Sequence, residues 1–509
     1  MKGTQKVNID KQPWSLDIKA GLVVFLIALP LSLGISLASG APSSAGLISA
    51  ILGGIFGAYL GGSYVTINGP AAGLIVVVLG AIQALGAGDP AVGFRRMLAC
   101  VVVVGVLQIM SGLLKAGKFA ALFPLSVVHG MLTAIGLIIM VKQVHVFLGH
   151  KSHGSIFASV LQIPVSLLNL VPESALIGLA GILLLLVYPH IKLKITKIIP
   201  APLIVVVIGI VMAMFLKPES MVTIPSHPSD LVIFPLFDII TSYNSILSII
   251  TIFFVASLES ILSVSAVDKL DPLERESNYD RELWSKGIVN VACGLLGGLP
   301  IIAEIVRSSA NISQGARTPL ANFSHSIFLL VFVLLFPTVL NSIPLAALAA
   351  ILVLVGYRLA QPKQFAEMWN LGAISFCAYM TTVVVTLAED LLVGVFAGVI
   401  VKAIMSIASG AKIKSLLIPN CQFEEDGDEA ILKFEDSLTF FSVLKQKDLL
   451  KKASRFKHIR IDLTKVSFID ATSISLFSRE SSKLEKNGTL VYVTIPKKFE
   501  FIYKQIKEH

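Results

Sequence analysis

Residues 297–311 read GGLPIIAEIVRSSAN and stand among long apolar segments. A Gly-Gly pair, a proline, a glutamate and an arginine rule this stretch out as an ordinary membrane span. In hydrocarbon every backbone N–H and C=O needs a partner within the protein, so a proline-broken segment is tolerated only where it is buried in protein or lines a cavity. An ionisable residue at such depth marks a candidate functional site. Beyond Pro300 the residues suit a short helix, whose unpaired N–H groups and positive dipole end point toward whatever fills the cavity. The pattern predicts an anion-facing half-helix inside a membrane.

The whole chain agrees with a membrane setting. Of its 509 residues 55% are hydrophobic and 14% charged, with a mean hydropathy of +0.83, where soluble domains carry roughly 25% charged residues. The net charge of +9 arises from Lys and Arg in short connections between apolar runs, which is the positive-inside pattern. Nucleic acid is therefore not an expected partner, whereas membrane lipid is. Cys100, Cys293, Cys377 and Cys421 show no metal-ligand spacing and read as small buried hydrophobes; no metal or cofactor is expected. The first apolar run is too long, and followed by too many others, for a cleaved signal.

At about 20 apolar residues per helix, the chain supplies roughly twelve to fourteen segments, the first starting near Ala20 and the last near Leu391. Positive charge gathers at Lys2, Lys6 and Lys11, at Lys115 and Lys118, at Lys192, Lys194 and Lys197, and from Lys269 to Lys286. Fourteen crossings place all of these on one side and leave both termini cytoplasmic. Arg95 and Arg96 dissent, since that threading puts them at the outer face. A second interrupted segment lies at residues 61–78, GGSYVTINGPAAGLIVVV, with the same order of Gly-Gly, extended stretch, proline and helix. Paired broken segments point to an inverted-repeat transporter that binds its substrate between facing half-helix N-termini. The alternative makes Gly61 and Gly62 close-packing small residues at a helix interface.

After residue 410 the composition becomes charged and no span follows. ILKFEDSLTFF, HIRIDLTKV and TLVYVTIP suit strands, and SISLFSRESSKLEKNG an amphipathic helix ended by Gly488, which together predict a small α/β domain.

With these passages in view the chain resembles the sulfate permease (SulP) family of anion transporters over nearly its whole length. The resemblance rests on AGLVVFLIALPLSLGISLASG, TINGPAAG, SLESILSVSAVDKL and GGLPIIAEIVRSSANISQGARTPL. The C-terminal region is similar to a STAS domain through RIDLTKVSFIDATSISLF. The resemblance implies an α-helical polytopic membrane protein with fourteen transmembrane segments in two inverted repeats of seven. These form a core and a gate domain, followed by a cytosolic α/β STAS domain, in a homodimer. The expected divisions are a cytosolic N-terminus at 1–16, the transmembrane region at 17–410, a linker at 411–429 and the STAS domain at 430–509.

Carried over by position, the resemblance assigns substrate contact to Gly69, Pro70, Ala71 and Ala72, and to Ile302, Ala303, Glu304 and Arg307. It assigns ion coupling to Glu259, with Ser263 one turn later on the same face. An ionised Glu259 in its apolar helix would cost several kcal/mol unless paired or neutralised, which suits a proton acceptor; with Na+ as the coupling ion, Glu259 and Ser263 supply hard oxygen ligands. In the alternative, Glu259 is a fixed ion-pair partner of Arg307. Arg307 itself stays charged and offers several donors to an anion. Glu304 departs from the family pattern of a small or hydroxyl residue, and Ala71 lacks the hydroxyl of some bicarbonate-transporting members. His129 and His325 read as helix-packing hydrogen-bonders and Lys142 as snorkelling. Asp470 and Thr472 read as helix caps, with Ala471 where related domains carry a phosphorylated serine.

The leading expectation is a secondary transporter of a small inorganic oxyanion, sulfate or bicarbonate, in the cytoplasmic membrane, coupled to H+ or Na+ by alternating access. Its rivals are a proton-coupled dicarboxylate or nucleobase symporter, favoured by Glu304, and a membrane-tethered STAS module that binds a cytosolic protein partner. No nucleophile–base set or metal cluster suggests an enzyme.

Overall fold

The computed structural model describes residues 14–118, 123–150, 155–191, 199–225, 227–414, 418–486, 488–496 and 499. The charge clusters at Lys2, Lys6 and Lys11 and at Lys192, Lys194 and Lys197 lie outside the described residues. The chain divides into two compact units, residues 1–117 with 135–360 and residues 118–134 with 361–509.

In the first unit, helices α1 (Trp14–Ala38) and α2 (Ser43–Leu60) precede strand β1 (Ile67–Gly69) and the short helix α3 (Ile75–Gly86). Helix α4 (Pro90–Leu113) starts sharply because the Asp89 carboxylate accepts the Ala91 and Val92 amides at 2.8 and 3.4 Å and Pro90 occupies the first turn. Helix α5 (Leu125–Phe147) belongs to this unit from residue 135 onward; α6 (Ile156–Leu168), α7 (Pro172–Val187) and α8 (Ala201–Leu216) follow, then the long α9 (Tyr243–Leu270). Helix α10 (Tyr279–Leu296) is capped by Asn278 and ended by Gly297 in the left-handed region at φ 87°. Beyond it come strand β2 (Ile302–Glu304), the nine-residue α11 (Ile305–Ser313), α12 (Leu320–Leu335), the five-residue α13 (Pro337–Asn341) and α14 (Leu345–Leu359).

Among the described residues eight helices are long and apolar enough to cross a membrane, Trp14–Ala38, Pro90–Leu113 and Tyr243–Leu270 among them. Helix α6 was not expected: it has only 13 residues with Pro164 inside, and Phe157, Leu161 and Leu168 stand exposed along it. Helices α4 and α10 meet at Gly105 and Gly287, where a Cβ on either would stand 2.5–2.6 Å from the other's carbonyl oxygen. Small residues let membrane helices approach this closely.

The dissenting arginines have local partners. Arg96 makes a 2.6 Å ion pair with Asp238 and donates to the Leu85 carbonyl at 2.8 Å, and Arg95 donates to the Phe234 carbonyl at 3.2 Å. The hydrogen bond from Arg96 also holds the Asp238 carboxyl below its ordinary range. Lys286 is no loop charge, since it is fully buried within α10 and paired with Glu282. Lys142 is half-buried.

The second unit carries helices α15 (Pro362–Asn370), α16 (Ala373–Ala388) and α17 (Leu391–Ala408), followed by four strands. These are β3 (Asn420–Asp426), β4 (Glu429–Leu438), β5 (His458–Ile469) and β6 (Leu490–Thr494), in the order β3-β4-β5-β6. The first pair is antiparallel and the other two are parallel. Helix α18 (Val443–Ala453) connects β4 to β5, and α19 (Ala471–Lys486) connects β5 to β6. Both are crossover connections, as parallel neighbours require. Alternation puts Ile459, Ile461 and Leu463 of β5 into a core with Leu432, Phe434, Leu450 and Phe477. Strand β3 lies inside the stretch expected as a linker, because acidic residues mask its alternation, and α18 was also unforeseen.

Asp470 caps α19 through the Ser473 amide at 2.8 Å and accepts the Phe440 amide at 2.7 Å. Lys402 of α17 reaches the same loop. Its side chain is 1% exposed, with the ammonium 3.9 Å from Asp470, 3.3 Å from the Thr472 hydroxyl and 5.2 Å from the centre of the Phe440 ring.

Candidate functional site: two half-helices on a strand pair

The two interrupted segments meet. Strands β1 and β2 pair antiparallel, with Ile67 opposite Glu304, Asn68 opposite Ala303 and Gly69 opposite Ile302. Proline stops each segment from continuing as regular structure: Pro70 follows β1 and Pro300 precedes β2, and a proline nitrogen cannot donate. From β1 the chain passes Pro70 and Ala71 into a 3-10 turn (Ala72–Leu74) and then α3; from β2 it passes directly into α11.

Buried polar side chains hold this arrangement. The Ser308 hydroxyl donates to the Glu304 carbonyl at 2.6 Å and accepts the Ile67 amide at 2.9 Å, which ties α11 to β1. Asn311 donates to the Val65 carbonyl at 2.9 Å. A chain of amides runs from α9 to the approach of β2: Gln108 donates to Ser257 at 3.1 Å, Asn290 donates to Gln108 at 2.7 Å, and the Ile301 amide donates to Asn290 at 2.7 Å. Ser49 donates to the Leu299 carbonyl at 2.8 Å. Such groups are costly in an apolar interior unless paired, and paired they fix one geometry. Gln108, Asn290, Ser49 and Ser308 escaped sequence analysis because nothing in a linear sequence names their partners.

Of the expected substrate contacts, Gly69, Ala71, Ala72, Ile302 and Ala303 are buried around the strand pair with Pro70. Arg307 is fully buried and donates from Nη2 to the Pro70 carbonyl at 3.3 Å, while its Nε and Nη1 have no hydrogen-bond partner among the described residues. Gly69 makes room for it, since a Cβ there would stand 2.6 Å from Nη1. Glu304 is the N-cap of α11: its Oε2 accepts the Arg307 amide at 2.9 Å and lies 4.0 Å from the same residue's Nε. The i,i+3 pair expected from the sequence thus joins side chain to backbone first and charge to charge second.

Glu259 lies across from the other half-helix. A Cβ at Gly73 would overlap both of its carboxylate oxygens, so the carboxylate rests on the first turn leading into α3. Its Oε2 is buried with no hydrogen-bond partner among the described residues. Arg307 takes Glu304 rather than Glu259 as its ion-pair partner, so the alternative of a fixed Glu259–Arg307 pair is overturned. Ser263 is buried one turn further along α9. His325 hydrogen-bonds the Asn322 carbonyl at 2.8 Å through Nδ1, but among the described residues its Nε2 is buried without a partner, as is Nδ1 of His129. A cavity of about 600 Å3 is lined by Tyr59, Ser63, Tyr64, Asn278 and Arg281 on the approach to β1, and not by Glu259 or Arg307.

Residues 15–382 match the model of the sulfate permease family and residues 420–499 that of the STAS domain. YvdB of Bacillus subtilis, named as a candidate sulfate transporter, is 26% identical over 496 residues that cover 95% of this chain and 92% of its own. The bicarbonate transporter BicA of a Picosynechococcus strain is 29% identical over 425 residues, covering 82% of this chain and 73% of its own. The structure of the murine anion transporter Slc26a9 in the inward-facing state shares the fold, with a TM-score of 0.72 at 18% identity, across 98% of this chain and 88% of that one. The chain belongs to the sulfate permease family of membrane anion transporters and carries a C-terminal STAS domain.

Proposed function

We propose that the protein carries a small inorganic oxyanion, of the sulfate or bicarbonate class, across the cytoplasmic membrane by alternating access, coupled to H+ or Na+ through Glu259. The observation that carries this reading is the site itself: two half-helices leave an antiparallel strand pair in opposite directions, and beside one of them stands a carboxylate whose Oε2 is buried with no hydrogen-bond partner among the described residues. Half-helix N-termini favour an anion, and a lone buried carboxylate favours uptake of a proton or cation. Gly69, Pro70, Ala71, Ala72, Ile302 and Ala303 supply backbone around the substrate. Arg307 supports it from beneath Pro70, and Glu259 with Ser263 takes the coupling ion. Fourteen crossings in two inverted repeats, both termini cytoplasmic, and assembly as a homodimer complete the reading. The names of YvdB and BicA support its substrate class.

A second carboxylate, Glu304, favours a proton-coupled dicarboxylate or nucleobase symporter as the alternative. Uptake by purified protein in liposomes, screened over sulfate, bicarbonate, fumarate and uracil under imposed pH and Na+ gradients, separates the two. Accumulation of sulfate or bicarbonate is expected; uptake of uracil without either anion overturns the proposal.

A further inference from the structure

The N-terminus of α11 already holds an acidic side chain that belongs to the protein. Glu304 Oε2 accepts the Arg307 amide at 2.9 Å and stands 4.0 Å from the Arg307 guanidinium. The hydrogen bond and the ion pair are made by the same oxygen, so one side-chain atom faces both the backbone and the guanidinium of Arg307. The residue is pinned at its backbone as well: its carbonyl accepts the Ser308 hydroxyl at 2.6 Å, and it lies in register with Ile67, whose amide donates to that same hydroxyl at 2.9 Å. Its side chain is 13% exposed, whereas that of Arg307 is 0% exposed. The carboxylate is therefore the more accessible of the two groups. At the other half-helix, Ala71 and Leu74 provide no side-chain cap.

We propose that Glu304 is a specificity-determining residue, a tethered anion that uses up one unit of the positive field at α11 and Arg307 and so tunes the site to monoanions over dianions. This inference rests on the transport reading above. Coulomb energy scales with the product of charges, so a fixed carboxylate repels a dianion twice as strongly as a monoanion at the same place. Discrimination by an unfavourable charge is a common route to specificity. The charged groups of neighbouring segments do not reverse the argument. Arg307 stands 4.0 Å from Glu304 and gives one donor to the Pro70 carbonyl, with Nε and Nη1 unpaired among the described residues, and Glu259 from α9 adds no positive charge.

The test compares the full-length protein with its Glu304→Gln variant in liposomes at matched density, using bicarbonate and nitrate as monoanion probes and sulfate and fumarate as dianion probes. The glutamine keeps an acceptor for the Arg307 amide and loses only the charge. Expected is a wild type that favours the monoanions, and a variant whose dianion-to-monoanion uptake ratio rises about tenfold or more, the scale of a single like-charge juxtaposition. An unchanged ratio in the folded variant, or a wild type that prefers sulfate, overturns the proposal while leaving anion transport intact. A wild type that moves none of the four probes under any gradient overturns the transport reading and this inference together. Should Glu304→Gln fail to fold, Glu304→Ser supplies a shorter uncharged cap and the same ratio is read.

Discussion

The half-helices α3 and α11 each follow a three-residue strand, and those strands are partners, yet their first turns are held in opposite ways. Helix α11 is closed by its own sequence: Glu304 caps it, Ser308 ties it to β1, and Arg307 is folded back under Pro70. Helix α3 has no side-chain cap, and what lies against its leading turn is Glu259, brought by α9 and left with a bare oxygen. One end is preorganised and internally neutralised. The other is built from small residues and carries an unsatisfied group. A site made this way divides its labour, with α11 as a fixed electrostatic wall and α3 as the side where occupancy changes.

The comparison breaks most visibly at Gly73. A valine there would displace the Glu259 carboxylate, and uptake should fall at least about a hundredfold, the usual cost of moving a reactive group by an ångström; near-normal uptake would mean that Glu259 does not act from this position. Glu259→Gln should leave a folded protein that exchanges substrate but no longer accumulates it against a gradient, which counterflow and gradient-driven uptake measured side by side will separate. For the α11 end, Arg307→Ala leaves Glu304 without its guanidinium and should cost about 3–5 kcal/mol of stability, read as a lowered melting temperature in detergent together with lost oxyanion uptake. The smallest effect belongs to Ser308→Ala. It strands the Ile67 amide at about 1–3 kcal/mol, and uptake should change less than stability, since the substrate-facing groups remain.

Much of this is legible in the amino-acid sequence. Pro70 and Pro300, each behind a Gly-Gly pair, announced the two broken segments, because few other residues end regular structure so firmly inside an apolar run. The acidic and basic residues of the site stood out for the same reason of cost. The register of β1 against β2 was not legible, since it joins residues more than two hundred positions apart through backbone alone. The Gln108–Asn290 chain was hidden because a lone amide in a membrane helix looks the same whether it packs, binds or supports. Gly61 and Gly62 opened the first broken segment in the sequence, whereas in the structure the Gly62 amide donates to Glu282 at 2.7 Å and its carbonyl accepts the Asn278 amide at 3.0 Å. Helix α6 was missed because its apolar side is too short to register as a span.

Lys402 bears on how the molecule can be taken apart. Its ammonium sits between Asp470, Thr472 and Phe440, so the last apolar helix and the four-stranded domain share one desolvated charge pair. A cut in the segment between α17 and β3 strands each charge on a separate piece, and neither fragment inherits the environment it had in the whole. Shortened proteins ending near residue 410 should therefore lose thermal stability for a reason unrelated to any signalling role of the removed part. Replacing Lys402 by methionine before cutting is the way to tell a lost regulator from a lost counter-ion.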